Sequence, residues 1–175
     1  ELERERLTRL RHTPAITLDG QRIELLANIE QPSDAAVAVR VGAVGVGLFR
    51  TEFLFMGRHG RLPDEEEQYR AYREAVEGMQ GLPVTIRTVD VGADKPLDKS
   101  HKESHLSPAL GLRAIRWSLD DPAMFRVQLR ALLRAAMHGP VNVLFPMLAH
   151  TSEIRQTLAQ VDLARAELQD RGQVC

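Results

Sequence analysis

The segment GVGLFRTEFLF, residues 45–55, decides the fold together with a later segment, PVTIRTVDVGADKPL, residues 83–97. Each contains a short apolar run typical of a β-strand, and each run ends at an arginine, Arg50 in the first and Arg87 in the second. In a parallel sheet both guanidinium groups emerge at the same end, where α/β proteins build their active sites. Arginine grips phosphate or carboxylate oxygens through two hydrogen bonds at once. The two segments therefore predict a site for an anionic, phosphorylated substrate.

The alternative interpretation is structural: the strand-end arginines form ion pairs with Glu52 or Asp90 at the sheet edge. A third arginine, Arg113, follows a long polar stretch at residues 90–108, and loops of that length are uncommon unless functional. Arg113 could reach back over the strand ends to join the other two arginines. The sequence alone favours the alternative, a solvated arginine at a helix start.

Composition excludes several classes of protein. The chain has 175 residues, 43% hydrophobic and 27% charged, which is typical of a globular domain with one sizeable core. Its 23 lysines and arginines nearly balance 24 aspartates and glutamates, so no basic field favours nucleic acid. A single cysteine, Cys175, excludes an internal disulfide, and no apolar run is long enough to span a membrane. These features predict a cytoplasmic protein.

Strand and helix patterns alternate four times along the chain. This alternation predicts right-handed crossovers and a parallel sheet, either an open doubly wound sheet or the first half of a (β/α)8 TIM barrel. Residues 1–20 are predicted to be the remnant of an interdomain helix or linker, and residues 21–175 the half barrel. The strands are predicted at 24–29, 45–49, 84–89 and 141–146, and the helices at 32–42, 64–79, from 122, and from 151 or 152 to 172.

End signals support the helices. Asp64 and Glu67 have the spacing of a capping box, and Asp121 precedes Pro122 at a predicted first helical position. The apolar stripe of the last helix is predicted to consist of Ile154, Leu158, Val161 and Leu168.

Four segments together carry a family resemblance: GVGLFRTEFLFMGR, LPDEEEQYRAY, PVTIRTVDVGADKPL and PALGLRAIRWSL. They resemble the phosphoenolpyruvate-binding barrel of the Enzyme I family, the phosphoenolpyruvate-protein phosphotransferases of bacterial sugar uptake and their nitrogen-related paralogues. The resemblance covers residues 13–172. Pyruvate phosphate dikinases and phosphoenolpyruvate synthases share part of the pattern, but their third-strand segment does not continue in the same way.

The resemblance implies that Arg50, Arg87 and Arg113 hold the phosphate and carboxylate of phosphoenolpyruvate. It implies a parent enzyme that uses Mg²⁺, phosphorylates its own histidine in a separate domain, and passes the phosphoryl group to a histidine phosphocarrier protein. It places the metal-binding carboxylates and the catalytic cysteine beyond residue 175, so no catalytic or metal-binding residue is expected within this chain. A non-catalytic half-barrel interaction module is the alternative function.

A half barrel leaves strand edges unpaired and apolar side chains without cover. Leu48, Ile86 and Leu144 are predicted to face the barrel interior in this way. We therefore expect the chain to form a homo-oligomer.

Overall fold

The computed structural model of the chain describes residues 2–58, 61–91 and 111–173. Most of the long polar stretch at residues 90–108, and Cys175, lie outside the described residues. Six helices and six strands follow one another in the described part, with short 3₁₀ turns at Thr51–Leu54 and Ala136–His138. In chain order they are α1 (Leu2–Arg9), β1 (Ala15–Ile16), β2 (Arg22–Ile23), β3 (Ala27–Ile29), α2 (Asp34–Arg40), β4 (Val46–Arg50), α3 (Glu65–Gly78), β5 (Val84–Arg87), α4 (Ile115–Asp120), α5 (Pro122–Ala135), β6 (Val141–Leu144) and α6 (Thr151–Asp170).

The main sheet has four parallel strands in the sequential order β3-β4-β5-β6. A doubly wound sheet reverses its strand order at a switch point, and no reversal occurs among these four strands. Sequential parallel strands with right-handed crossovers place their helices on one face, as in a barrel. The α/β class is confirmed, and the topology is that of four consecutive units of a partial TIM barrel.

Two short elements precede the sheet and were not predicted. β1 and β2 pair antiparallel in a separate two-stranded sheet around a turn at Gly20. Strands of two residues are too short to show an alternating pattern, which is why the sequence did not reveal them.

Helix starts follow the predicted capping chemistry in α3 and α5. The Asp64 carboxylate accepts from the backbone N–H of Glu67, and the Glu67 side chain accepts from that of Asp64. Asp121 accepts from the N–H of Met124, ahead of α5. Helix α6 begins at Thr151, one of the two predicted first residues, and its N-cap is His150, whose ring nitrogen accepts from the backbone N–H of Ser152.

The core lies between the sheet and the helices. Phe49 of β4, Ile86 of β5, Tyr72 of α3 and Phe125 of α5 are all fully buried there. The prediction that Ile86 faces the barrel interior was wrong. Successive side chains of a strand alternate between faces, so Arg87 on the inner face places Ile86 among the helices.

The opposite, inner face of the sheet is less covered. Leu48 is half-buried, and Leu144 is 37% exposed. Met147 and Leu148, just beyond β6, are exposed to a similar extent. For Leu48 and Leu144 the predicted inward orientation follows from the register, which pairs Asn28 with Leu48 and Arg87 with Leu144.

The predicted apolar stripe of the last helix is half confirmed. Leu168 is fully buried and Val161 packs against the core as predicted, whereas Ile154 and Leu158 are exposed and Thr157 and Ala164 are buried instead. None of the described helices is both long enough and apolar enough to cross a bilayer.

Ion pairs tie three helices of the outer layer together. The Glu65 carboxylate at the start of α3 accepts from Arg130 (2.6 Å) and Arg134 (3.0 Å) of α5 and from Arg171 (3.0 Å) after α6. Arg130 also pairs with Glu167 of α6. Burial alone raises the pKa of Glu65, but the hydrogen bonds from these arginines outweigh it and the pKa is lowered. Glu65 is therefore a charged link between α3, α5 and the end of α6.

Candidate functional site

Arg50 and Arg87 end neighbouring parallel strands at the same edge of the sheet. Arg50 is the last residue of β4, Arg87 is the last residue of β5, and their Cα atoms are paired in the register. Paired residues of adjacent strands project on the same face, and the buried neighbours Phe49 and Ile86 occupy the other one. The predicted placement of both arginines at the C-terminal edge is confirmed.

Arg87 makes two ion pairs at this edge. Its Nη2 lies 2.9 Å from Oε1 of Glu52, and its Nη1 lies 3.2 Å from Oδ2 of Asp90. Glu52 belongs to the 3₁₀ turn that directly follows β4, and its Oε1 also accepts from the backbone N–H of Asp90 at 3.0 Å. Glu52 and Asp90 are the two carboxylates that the alternative interpretation of the sequence gave as ion-pair partners, and Arg87 pairs with both.

Arg113, which follows residues 92–110 in the sequence, joins the same group. Its Nε donates to Oδ1 of Asp90 at 3.0 Å, so one carboxylate connects Arg87 and Arg113. The Arg113 side chain is only 20% exposed, which excludes a freely solvated arginine at the start of α4. Arg113 therefore reaches back to the strand ends, and the solvated arginine that the sequence alone favoured is wrong.

Arg50 has a different partner. Its guanidinium group pairs with Glu30, which follows β3, and both side chains are more exposed than those around Asp90. Glu30 was missed in the sequence, although it follows its strand as Arg50 ends the next one. The structure thus joins Arg87 and Arg113 through the carboxylate of Asp90, and brings Arg50 to the same edge on a different carboxylate, that of Glu30.

Six residues at this edge of the sheet form what we call the strand-end cluster: Arg50, Arg87, Arg113, Glu30, Glu52 and Asp90. Three arginines face three carboxylates, so the formal charges of the cluster cancel. Two donors are left over: the Nε atoms of Arg50 and Arg87 are buried and have no hydrogen-bond partner among the described residues. Buried donors without acceptors are unfavourable, and an anion at this edge could accept from them.

The described residues do not fit a Mg²⁺ ion. Magnesium prefers several oxygen ligands in octahedral geometry, with carboxylates that are not already neutralised. Glu52 and Asp90 are both engaged by arginines. Within residues 2–58, 61–91 and 111–173, no three acidic, histidine or cysteine side chains come together as a metal site requires.

A buried glutamine behind the cluster was also missed. Gln128 of α5 is fully buried and accepts from the backbone N–H of Val89, next to Asp90. The signal was present in the sequence, because Gln128 falls on the same helical face as Phe125, Leu129 and Leu132. A polar residue within an apolar stripe has to find hydrogen-bond partners inside the protein.

Fold and cluster together define a class: α/β-barrel-type domains that carry their functional residues at the C-terminal ends of parallel strands. Comparison with known proteins narrows the class. Residues 4–175 match the family model described as "PEP-utilising enzyme, PEP-binding domain". The chain therefore belongs to the phosphoenolpyruvate-utilising enzyme family and corresponds to its phosphoenolpyruvate-binding domain.

Individual relatives agree with this assignment. The chain is 64% identical over 174 residues to the phosphoenolpyruvate-protein phosphotransferase of Cupriavidus necator. It is 45% identical to the proteins of the same name from Staphylococcus carnosus, over 170 residues, and Haemophilus influenzae, over 172 residues. The alignments cover 98%, 97% and 98% of this chain and 30% of each relative. The chain thus spans under a third of the length of these relatives.

Proposed function

We propose that this chain is the first half of the phosphoenolpyruvate-binding barrel of a phosphoenolpyruvate-protein phosphotransferase. Arg50, Arg87 and Arg113 are the proposed substrate-binding residues. The observation that carries the proposal is a pair of buried Nε donors, on Arg50 and Arg87, that lie in register at one sheet edge and find no acceptor in the part of the chain that the structure describes. Residues 1–20 form the leading segment of this proposal and residues 21–175 the half barrel, although the β1–β2 hairpin pairs across that division.

The chemistry of the substrate suits the cluster. Phosphoenolpyruvate carries a phosphate and a carboxylate, and planar guanidinium groups bind both kinds of oxygen bidentately. The arginines also neutralise negative charge on a phosphoryl group during its transfer. Because Glu30, Glu52 and Asp90 already balance the arginines, the substrate has to compete with them or share their partners.

The rest of the activity requires residues outside this chain. In the proposal, the parent protein supplies the Mg²⁺ ligands, the histidine that receives the phosphoryl group, and the contacts with a histidine phosphocarrier protein. Bound magnesium contributes neutralisation of the enolate that remains after transfer. We place this parent protein in the cytoplasm.

Two other functions are weaker. A dikinase or synthase of the same family shares the fold, but the three relatives named above are all phosphoenolpyruvate-protein phosphotransferases. A non-catalytic interaction module is supported only by the uncovered inner face of the sheet.

Titration of the chain with phosphoenolpyruvate tests the proposed substrate. The side-chain Nε–H signals of Arg50, Arg87 and Arg113 in nuclear magnetic resonance spectra should shift together and saturate at millimolar rather than micromolar concentrations, because the cluster is already neutral. Arg87→Gln should abolish saturation, whereas Arg70→Gln, an exposed arginine of α3 in an ion pair with Glu66, should leave it unchanged. Equal binding by both variants, or no shift in the wild-type chain, would refute the proposed role.

Catalysis by the isolated chain is a separate test. With added magnesium and phosphocarrier protein, we expect no phosphotransfer, since the acceptor histidine and metal ligands are supplied from elsewhere. Turnover by the purified chain would show that the proposed division of labour is incorrect.

A further inference from the structure

A chain of buried hydrogen bonds runs behind the strand-end cluster. Its centre is Gln128, whose side chain crosses the core from α5 toward the ends of β4 and β5. The Oε1 atom accepts from the N–H of Val89 at 3.1 Å, and the Nε2 atom donates to the Tyr72 hydroxyl at 2.9 Å and, at 3.4 Å, to Thr51. The Thr51 hydroxyl in turn donates to the carbonyl of Arg87 at 2.9 Å.

The direction of each hydrogen bond follows from its partners. A backbone N–H only donates, so Oε1 of Gln128 faces Val89 and both hydrogens of Nε2 face hydroxyl oxygens. Burial raises the pKa of Tyr72, which keeps its hydroxyl protonated, and that hydroxyl donates to Oε1 of Gln68 at 3.0 Å. The carboxamide of Gln128 therefore uses both of its donors and its acceptor.

These bonds hold the backbone that carries the cluster. After β5 ends, the N–H of Thr88 still donates to a strand, to the carbonyl of Leu144 at 3.0 Å. The next N–H, of Val89, has Gln128 as its acceptor, and the one after, of Asp90, has Glu52. Two side chains thus replace the missing strand partner over the residues that aim the Asp90 carboxylate at Arg87 and Arg113.

We propose that Gln128 is a positioning residue for the strand-end cluster, and that it sets the affinity of the site for its anion by fixing the backbone from Arg87 to Asp90. The carboxamide of Gln128 is uncharged and its hydrogen-bond partners are Val89, Thr51 and Tyr72, so it acts on the cluster through Val89 and Thr51. That the anion is phosphoenolpyruvate rests on the proposed function. The positioning itself does not.

The chain provides a matched control at the other end of the same hydrogen-bonded chain. Gln68 of α3 is also fully buried, and its carboxamide accepts from Tyr72 and donates to the carbonyl of Pro63 at 3.1 Å. Replacing either glutamine with methionine removes a buried carboxamide of the same size. Only Gln128 is bonded to the segment beside Asp90, so the two variants separate a local effect from a general loss of stability.

The experiment compares amide hydrogen exchange and anion titration in wild-type chain, Gln128→Met and Gln68→Met. We expect the Val89 amide to exchange at least about tenfold faster in Gln128→Met than in Gln68→Met, since a net hydrogen bond is worth roughly a factor of ten. The apparent dissociation constant for phosphoenolpyruvate should rise by about the same factor in Gln128→Met and by less than about twofold in Gln68→Met. Inorganic phosphate, as a second probe, should follow the same order.

A second pair of variants keeps the test decisive if Gln128→Met does not fold. Thr51→Val removes the hydroxyl that links Gln128 to the Arg87 carbonyl, whereas Thr51→Ser keeps a hydroxyl at this position. Only the valine variant should therefore weaken anion binding. Equal Val89 exchange in the two glutamine variants, or equal binding by the two Thr51 variants, would overturn the proposal. If the wild-type chain binds no phosphoenolpyruvate, the proposed function fails, while Val89 exchange still decides the positioning.

Discussion

Neutralising Glu65 should destabilise the fold measurably, because one carboxylate serves three arginines of the outer layer. The Glu65 side chain is 15% exposed and that of Arg130 is 10% exposed, so this pair is screened only partly by water. Arg171, at 50% exposed, adds little. In Glu65→Gln, Arg130 keeps Glu167 and loses a charge-assisted hydrogen bond of 2.6 Å.

The magnitude lies between two known limits. Exposed ion pairs contribute about 0.2–1 kcal/mol, and breaking a fully buried pair costs about 3–5 kcal/mol. For a mostly buried pair with a second partner retained, we expect Glu65→Gln to lower the free energy of unfolding by about 2 kcal/mol at pH 7. Urea unfolding followed by circular dichroism measures this difference, with Glu74→Gln, an exposed glutamate of the same helix, as the control.

The same variant predicts a pH dependence. The pKa of Glu65 is lowered in the folded state from its ordinary value of 4.5, which means that folding favours the ionised form of its carboxyl group. Its stabilisation is fully present above pH 4.5 and is lost as the pH falls through the folded pKa. The difference in the free energy of unfolding between wild type and Glu65→Gln should therefore become smaller below pH 4.5. A Glu65→Gln variant as stable as Glu74→Gln at pH 7, or a gap that widens in acid, would refute the reasoning.

Two further predictions concern the two faces of the sheet. Ile86→Ala should lower the free energy of unfolding by about 3 kcal/mol, because Ile86 is fully buried among the helices, whereas Leu144→Ala on the inner face should lower it by less than about 1 kcal/mol. Urea unfolding separates them, and equal losses would show that the face assignment is incorrect. Because Leu144 on the inner face and Met147 and Leu148 just beyond β6 are exposed, the chain should self-associate at low micromolar concentration. Light scattering checks this, and a stable monomer would contradict it.

The alternating strands and helices could be predicted because each strand is a separate apolar run and the helices have strong end signals. Asp64 with Glu67, and Asp121 before Pro122, act through local hydrogen bonds and need no tertiary information. Ile86 was assigned to the wrong face even though Arg87, its neighbour, implied the opposite one.

Side-chain partners in the candidate site were only partly predictable. Glu52 and Asp90 lie close in sequence to the strand-end arginines, and they were named as possible partners. Glu30 and Gln128 come from other units of the fold, twenty residues from Arg50 and thirty-nine from Val89. Their roles depend on how neighbouring strands and helices pack, which single-sequence patterns do not specify.

Phosphoryl transfer by a chimeric enzyme tests the central claim most directly. The segment of the Cupriavidus necator protein that aligns with this chain, at 64% identity, is replaced by this chain, and phosphoenolpyruvate-dependent phosphorylation of a phosphocarrier protein is measured. We expect the chimera to be active. In the chimera, Arg50→Gln, Arg87→Gln and Arg113→Gln should each reduce kcat/KM for phosphoenolpyruvate by at least about a hundredfold, because a hydrogen bond from a charged donor to the reacting group contributes about that factor. The exposed Arg70→Gln should retain full activity. An active chimera in which the three cluster variants match Arg70→Gln would contradict the assignment of these arginines to the substrate.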